Sequence, residues 1–215
     1  MSGRSDMPGC MSAVRPLEAL PDGQLAAVVT YLEMTAPPAD SVQRGNLRLS
    51  RVVLPQPDAY RALFRKIGAP WLWFSRLEMS DAELDAIIAD PNVELFEVAA
   101  VEAVVGMLEL DYREPGQCEI AFVGLVPELS GQGHGRWLLA EAVHRAWREG
   151  VTRVHVHTCS LDHPAALAAY RRAGFVPVKR AIERFTDPRL TGILPADSAP
   201  QVPLLGTLAE ARPDS

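Results

Sequence analysis

Apolar residues recur along the chain with two periods, two and three to four residues, and each change of period marks a new element. Leu25 to Met34 is apolar and β-branched and reads as a first strand, ended by Pro37-Pro38. Tyr60, Leu63, Phe64 and Ile67 share one helical face, with Asp58 as a cap and Gly68 as the stop. Trp71 to Leu77 is dense in aromatics and reads as a buried strand or loop. Ser80-Asp81-Ala82-Glu83 is a capping box that opens a helix with Leu84, Ile87 and Ile88 inward.

Three strand-like runs follow, at about 94–101, 104–111 and 117–126. Their links are short, Glu102-Ala103 and the turn Glu114-Pro115-Gly116, so they are expected to form an antiparallel meander. A glycine-rich stretch leads into a helix reaching about Glu149, with Leu138, Leu139, Ala142, Val143, Ala146 and Trp147 on its apolar face. Glu141–Arg145 and Arg145–Glu149 are spaced as i,i+4 pairs on the other face. A strand at 151–158, a short helix opened by Asp162-His163-Pro164 and closed at Gly174, and a last strand at 175–182 complete the pattern. Five prolines between Thr186 and Ser215 leave no period, although Leu204-Leu205 has the character of a docking pair. The expected organisation is a flexible segment at 1–22, one domain at 23–185, and a proline-rich extended tail at 186–215.

Composition narrows the function. A chain of 215 residues supports one domain with a sizeable core. Its net charge of −6 argues against nucleic acid as the main partner, since duplex binding neutralises phosphates with Lys and Arg. No apolar run approaches membrane-spanning length, and residues 1–22 lack the apolar stretch of a signal peptide. Cys10, Cys118 and Cys159 have no metal-ligand spacing, and Cys118 and Cys159, in strand-like runs, read as small hydrophobes, which suits a reducing cytoplasm. No metal site is expected.

The chemistry concentrates in Ser130-Gly131-Gln132-Gly133-His134-Gly135-Arg136. Glycines let a backbone approach a ligand closely, and the first amides of a helix are unpaired and partly positive. Such a turn cradles phosphates. A dinucleotide fingerprint would need a third glycine where Arg136 stands, and a Walker loop would need a lysine that is absent. What remains resembles the acetyl-CoA loop of the GNAT superfamily of N-acetyltransferases, Arg/Gln-x-x-Gly-x-Gly/Ala, with Ser130 in the place of Arg or Gln and Gly133 and Gly135 as the two glycines. Downstream, Ala166, Tyr170, Gly174 and Phe175 match that superfamily's Asn-x-x-Ala-x-x-x-Tyr-x-x-x-Gly-Phe in register, with His163 in the place of asparagine. The run Cys159 to Leu167 is similar to a bacterial subgroup of the superfamily.

The resemblance covers about residues 25–182 and implies an α/β (α+β) fold: a mixed, mostly antiparallel sheet flanked by helices, with a splayed strand pair holding acetyl-CoA. It implies acetyl transfer to a primary amine, on a small molecule or peptide, by direct attack in a ternary complex, and it is compatible with a homodimer. The cofactor contacts it implies are backbone groups of Leu125 and Val126, residues Ser130, Gly131, Gln132, Gly133, His134, Gly135 and Arg136, and His163.

Glu119, in Glu119-Ile120-Ala121-Phe122, is the candidate base, with an apolar setting raising its pKa; its alternative is a strand carboxylate paired with a neighbour. Tyr170 is the candidate acid at the CoA sulfur, or else an aromatic packed at the helix–sheet seam. His155 and His157 face one side of a strand, as alternative bases or as a polar face. Residues 58–77 and the tail are candidates to shape the acceptor pocket, with Trp71 and Trp73 as contacts or as core. The replacement at Ser130 and the proline-rich tail keep open a second reading, an acyl-CoA-binding sensor without catalysis.

Overall fold

The computed structural model describes residues 17–38, 45–101 and 103–207. The expected flexibility of 1–16, the position of Cys10 and the last eight residues of the tail lie outside them. The strands are β1 (Gln24–Met34), β2 (Arg48–Arg51), β3 (Val93–Ala99), β4 (Val104–Asp111), β5 (Gln117–Leu125), β6 (Arg153–Cys159) and β7 (Val176–Thr186). The helices are α1 (Pro57–Gly68), α2 (Asp81–Ile88), α3 (His134–Ala146) and α4 (Ala166–Arg172). The strands form one sheet in the order β2-β3-β4-β5-β6-β1-β7. Neighbours are antiparallel except β5 and β6, which run parallel.

Alternation along the strands sends their side chains to two cores. Leu108, Leu110, Cys118, Ile120, Val154 and Val156 meet Leu138, Leu139, Ala142 and Val143 of α3 on one face. Met107, Val93 and Leu95 meet Tyr60, Phe64 and Ile67 of α1 and Leu84 and Ile88 of α2 on the other. Burial of about 25 cal/mol per Å² of apolar surface makes this three-layer arrangement the main source of stability. The expected meander is therefore β3-β4-β5. Its turn holds a Gln117 N–H to Glu114 carbonyl bond of 3.1 Å.

Local chemistry explains where boundaries differ from the pattern. The residue before α1 is Gln56 with no side-chain cap, so Asp58 lies inside the first turn and favours the positive helix end instead. Pro57 at the first position sets the backbone for the helix. The box at α2 forms in both directions: the Ser80 N–H donates to Glu83 Oε2 at 2.9 Å, and the Glu83 N–H donates to Ser80 Oγ at 3.3 Å. Helix α3 stops at Ala146, because Trp147 turns to extended backbone and packs its indole near Met34, the Nε1 to Sδ distance being 3.5 Å. Glu149 thus lies beyond the helix, and among the described residues Arg145 forms its ion pair with Glu141, at 3.3 Å. Strand β2 is too short and too charged to show a period. Strand β7 runs to Thr186, four residues past the apolar pattern, as an exposed sheet edge.

The largest departure is the segment after β7. Among the described residues it is not an extended tail but a folded strap. Arg189 and Asp187 are both almost fully buried and joined by two side-chain hydrogen bonds of 2.9 and 2.7 Å and by the Arg189 N–H to Asp187 Oδ1 at 3.0 Å. Arg189 Nη1 also donates to the carbonyls of Val202, Ser198 and Ala199 at 2.8, 3.2 and 3.4 Å. The strap is anchored at Gly23, whose N–H donates to the Leu205 carbonyl at 3.0 Å and whose carbonyl accepts from Asp187 at 2.9 Å. Leu194 and Ala199 close a small core with Leu72. A segment organised around one guanidinium has no hydrophobic period, which is why it reads as a tail. Replacing Arg189 by Met leaves the Asp187 charge buried without its partner; the expected loss is about 3–5 kcal/mol, measured by urea denaturation.

Candidate active site

The parallel pairing of β5 with β6 lasts for three residue pairs, Gln117 with Arg153, Cys118 with Val154 and Glu119 with His155. Beyond Glu119 the two strands part. The β4–β5 register slips there as well: Leu110 pairs with Ile120 but Glu109 with Phe122, so Ala121 is an extra residue in β5. Such a bulge bends its strand and re-aims the side chains that follow. It lets Glu119 and Phe122, three apart, serve the same face of the sheet, that of α1.

The opening is a cleft of about 610 Å³. Strand β5 carries the chain from Glu119 to Leu125 and on toward the glycine loop, so Glu119 and its neighbour His157 lie a strand's length from Ser130, Gly131 and Gly135; Leu125, Tyr170, His163, Arg76, Trp71 and Phe185 also line the cleft. The glycine loop turns through Gly131 and Gly133 at φ 76° and 82°, in the left-handed region that glycine enters at no steric cost. Nothing lies within 4 Å of where a Cβ would sit on Gly131, Gly133 or Gly135, so the backbone is bare to an incoming group.

Among the described residues, the N–H groups of Gly131, Gln132, Gly133, His134 and Gly135 donate to no protein acceptor, whereas that of Arg136 turns back to the Gly133 carbonyl at 3.1 Å. The expected cradle is thus five amides long and ends before Arg136. Val126 is also set aside. Its N–H donates to the Val105 carbonyl and its carbonyl accepts from Leu129, and its side chain is buried under α1. Alternation then aims the N–H and carbonyl of Leu125 at the opening. Gln132 Nε2 is held by the Glu128 carbonyl at 2.9 Å. Gln132, Gly133, His134 and Arg136 lie outside the cleft wall.

Residues 60–175, more than half of the chain, match the Acetyltransferase (GNAT) family. The chain belongs to the GNAT acetyltransferase family. A mycothiol acetyltransferase of Jonesia denitrificans is 36% identical over 70 residues, 33% of this chain and 22% of that protein. A GCN5-related N-acetyltransferase from Sphaerobacter thermophilus shares the fold at a TM-score of 0.53 and 20% identity, over 77% of this chain and 52% of the other. An acetyltransferase of the GNAT family from Novosphingobium aromaticivorans does so at 0.51 and 16%, over 77% and 67%. The chain thus spans about half the length of the first of these structures and less than a quarter of the curated relative. The mixed, mostly antiparallel sheet flanked by helices is the GNAT fold.

Within this GNAT cleft, Glu119 differs from its expected state. Its Oε1 lies 3.2 Å from His157 Nδ1, and this hydrogen bond holds the carboxyl below the usual range rather than raising it. The same bond lifts His157 above the ordinary histidine value. His157 also leans on the Tyr31 ring, with centroids 5.8 Å apart. His155 is pushed the other way by burial and does not line the cleft. Burial raises Tyr170 well above 10, with Asp162 adding to it, and its hydroxyl has no protein partner among the described residues. His163 Nδ1 accepts the Ala165 N–H at 3.1 Å, a local turn bond of the kind an asparagine side chain makes. Asp162 does not cap α4. Its two oxygens accept from Trp73 Nε1 at 3.0 Å and from the Thr158 hydroxyl and Cys159 N–H at 2.7 Å each. Burial raises the Cys118 and Cys159 thiols to about 12 and about 11, which keeps both protonated.

One group has no signature beyond a single carboxylate in the apolar run of β4. Glu109 is fully buried, accepts a short hydrogen bond from the Tyr60 hydroxyl, and pairs with Arg76 Nη2 at 2.6 Å. Arg76 in turn lies over the Phe122 ring, 5.2 Å from its centroid. This buried set ties α1, β4 and the aromatic loop after α1 together beneath the cleft. Among the described residues no group of three His, Cys, Asp or Glu side chains is placed to hold a metal.

The Glu119–His157 pair makes a pH-dependent contribution. A carboxyl with a lowered pKa stabilises the fold above its unfolded value, near 4.5, and loses this as pH falls. A raised histidine stabilises below its unfolded value, near 6.5, and loses this as pH rises through the folded pKa. Both are fully present between those values. In an NMR titration His157 is expected to titrate above 6.5 and to move down in Glu119→Gln, which removes the hydrogen bond and the charge that raise it most.

Proposed function

We propose that the protein transfers an acetyl group from acetyl-CoA to a primary amine, by direct attack in a ternary complex. The observation that carries this reading is one cleft that meets a run of five unpartnered amides through Gly131 and Gly135 at one end and has a carboxylate–imidazole pair at the other. The amides of Gly131 to Gly135 suit a pyrophosphate: successive N–H groups at a helix start concentrate positive potential on an anion. With Ser130 in place of the usual Arg or Gln, the backbone supplies most of that hold. Leu125 suits an extended amide-bearing arm, which pairs with the free edge of β5 as an added strand would.

His157 is the base and Glu119 its positioning partner. Glu119 fixes the ring through Nδ1, which leaves Nε2 to take a proton from the attacking amine. The nitrogen lone pair forms the C–N bond, the C–S bond breaks, and the electron pair leaves with sulfur. Tyr170 stays protonated at neutral pH and donates a hydrogen bond to the departing sulfur. A full proton transfer from it is uphill, because a thiol titrates near 8.5. The thiolate takes its proton from solvent, and the half-exposed His157 returns its own there.

Thiol release from acetyl-CoA in the presence of an amine panel tests the reading. His157→Gln is expected to lower kcat by about a hundred- to ten-thousandfold. Tyr170→Phe should lower kcat with acetyl-CoA affinity kept. The acidic limb of the wild-type profile should fall above pH 6.5 and move down in Glu119→Gln. Calorimetric binding of acetyl-CoA without turnover of any amine would favour the sensor reading instead, and absence of binding at millimolar ligand would overturn both.

A further inference from the structure

The acceptor end of the cleft carries four carboxylates and two guanidinium groups, and their partners decide what is left for a substrate. Arg76 is paired to the buried Glu109 at 2.6 Å, and Arg113 to Asp111 through three contacts of 2.6 to 3.1 Å. Asp162 is taken up by Trp73, Thr158 and Cys159. Glu119 has one oxygen on His157. Glu183 alone has no hydrogen bond or ion pair among the described residues. Both cations of this end are therefore neutralised, and the surplus charge is a carboxylate.

Glu183 stands on β7 two residues before Phe185, so both point to the cleft face. Its cross-strand partner is the buried Ala27, and Glu183 itself is exposed. Phe185 packs on Phe74, with centroids 4.9 Å apart and planes 34° apart. Trp71 meets His163 edge-on at 5.0 Å. These rings are held from behind. Gln201 Nε2 donates to the Pro70 carbonyl at 2.7 Å, and the strap residues Leu194 and Ala199 pack on Leu72, which keeps a left-handed φ of 55°. An open carboxylate beside fixed aromatic faces recognises an organic cation, by charge and by the rings' negative faces together.

We propose that the acceptor is an organic dication with an aromatic or apolar body: one amine is acetylated at His157, the body lies on Phe74, Phe185 and Trp71, and Glu183 holds the second cationic group. This rests on the acetyl-transfer reading above and names its substrate class. Among the residues that line the cleft an acceptor bearing a carboxylate finds no unpaired cation and meets Glu183 instead; Lys179, 5.2 Å from the Tyr31 ring, stands outside that lining.

Three matched amines test it: m-xylylenediamine, benzylamine and meta-(aminomethyl)benzoate. With acetyl-CoA and the full chain, kcat/KM should fall in that order. Glu183→Gln should narrow the diamine-to-benzylamine ratio about fivefold, the size of one exposed ion pair. Glu183→Arg should bring the benzoate up relative to the diamine. A benzoate that equals or exceeds the diamine, or a Glu183→Gln effect equal on all three amines, overturns the proposal. Calorimetry of the same amines on the CoA-saturated protein separates the two readings. If the diamine binds in the expected order without thiol release, the acetyl-transfer reading fails and the cation site stands. If thiol is released but the diamine has no advantage, the site fails and acetyl transfer stands.

Discussion

Everything at the active centre depends on a hydrogen-bonded ladder that stops early. Strands β5 and β6 pair for three residues and then part, and the extra residue Ala121 bends β5 at the same level. A strand that leaves its neighbour in mid-sheet exposes peptide groups to whatever fills the gap. Burying them unpaired would cost about 1–3 kcal/mol each. The sheet tolerates the break because the two cores on its faces continue across it, with α3 on one side and α1 on the other. The gap is therefore a stable property of the backbone. The side chains proposed to do chemistry, Glu119, His157 and Tyr170, are set around it by the strand and helix that each belongs to.

Two polar sets frame that gap and behave differently. Tyr60 and Glu109 lie beneath it with Arg76 reaching up to the cleft wall, and their charges are matched within the protein. Such a set contributes little net stability, since the cost of removing charge from water offsets most of the attraction. Its effect is positional, because removing any member strands the others. Glu119 and His157 face the cleft and remain partly open to water, so their proton balance responds to pH and to a substrate. The division separates a rigid floor from a titratable wall.

How much of this is legible in the amino-acid sequence depends on whether the information is local. Capping at Ser80, the three-strand run and the glycine turn are written in adjacent residues, and they form where the pattern puts them. From the two motifs, Ser130, Gly131, Gly135, His163, Ala166 and Tyr170 fall on one cleft because α3, β6 and α4 connect them by short links. The Glu119–His157 contact joins residues 38 apart on parallel strands, and no spacing rule encodes it. The reversed pKa direction of Glu119 follows from that unseen contact, since the apolar setting alone would raise it. Val126 reads like Leu125 in the sequence; only the ladder shows that one of the two is already paired on both sides. The Arg189 strap was hidden because its order comes from one side chain gathering carbonyls, not from a period.

The exposed run of β7 has a consequence for how molecules of this protein meet one another. It is an 11-residue edge, and Val176, Val178 and Ile182 are open to solvent on it. An edge of that length is a template for pairing with another chain. Here Lys179, Arg180, Glu183 and Arg184 interrupt the apolar positions, and Pro177 lacks the N–H that a continuous ladder would require. The register also slips between Tyr31 and Leu32, which twists the end of the strand away from a flat approach. The border that helps to wall the cleft is thus written with the residues that discourage runaway strand stacking, so edge protection and part of the cleft lining are carried by the same short stretch of chain.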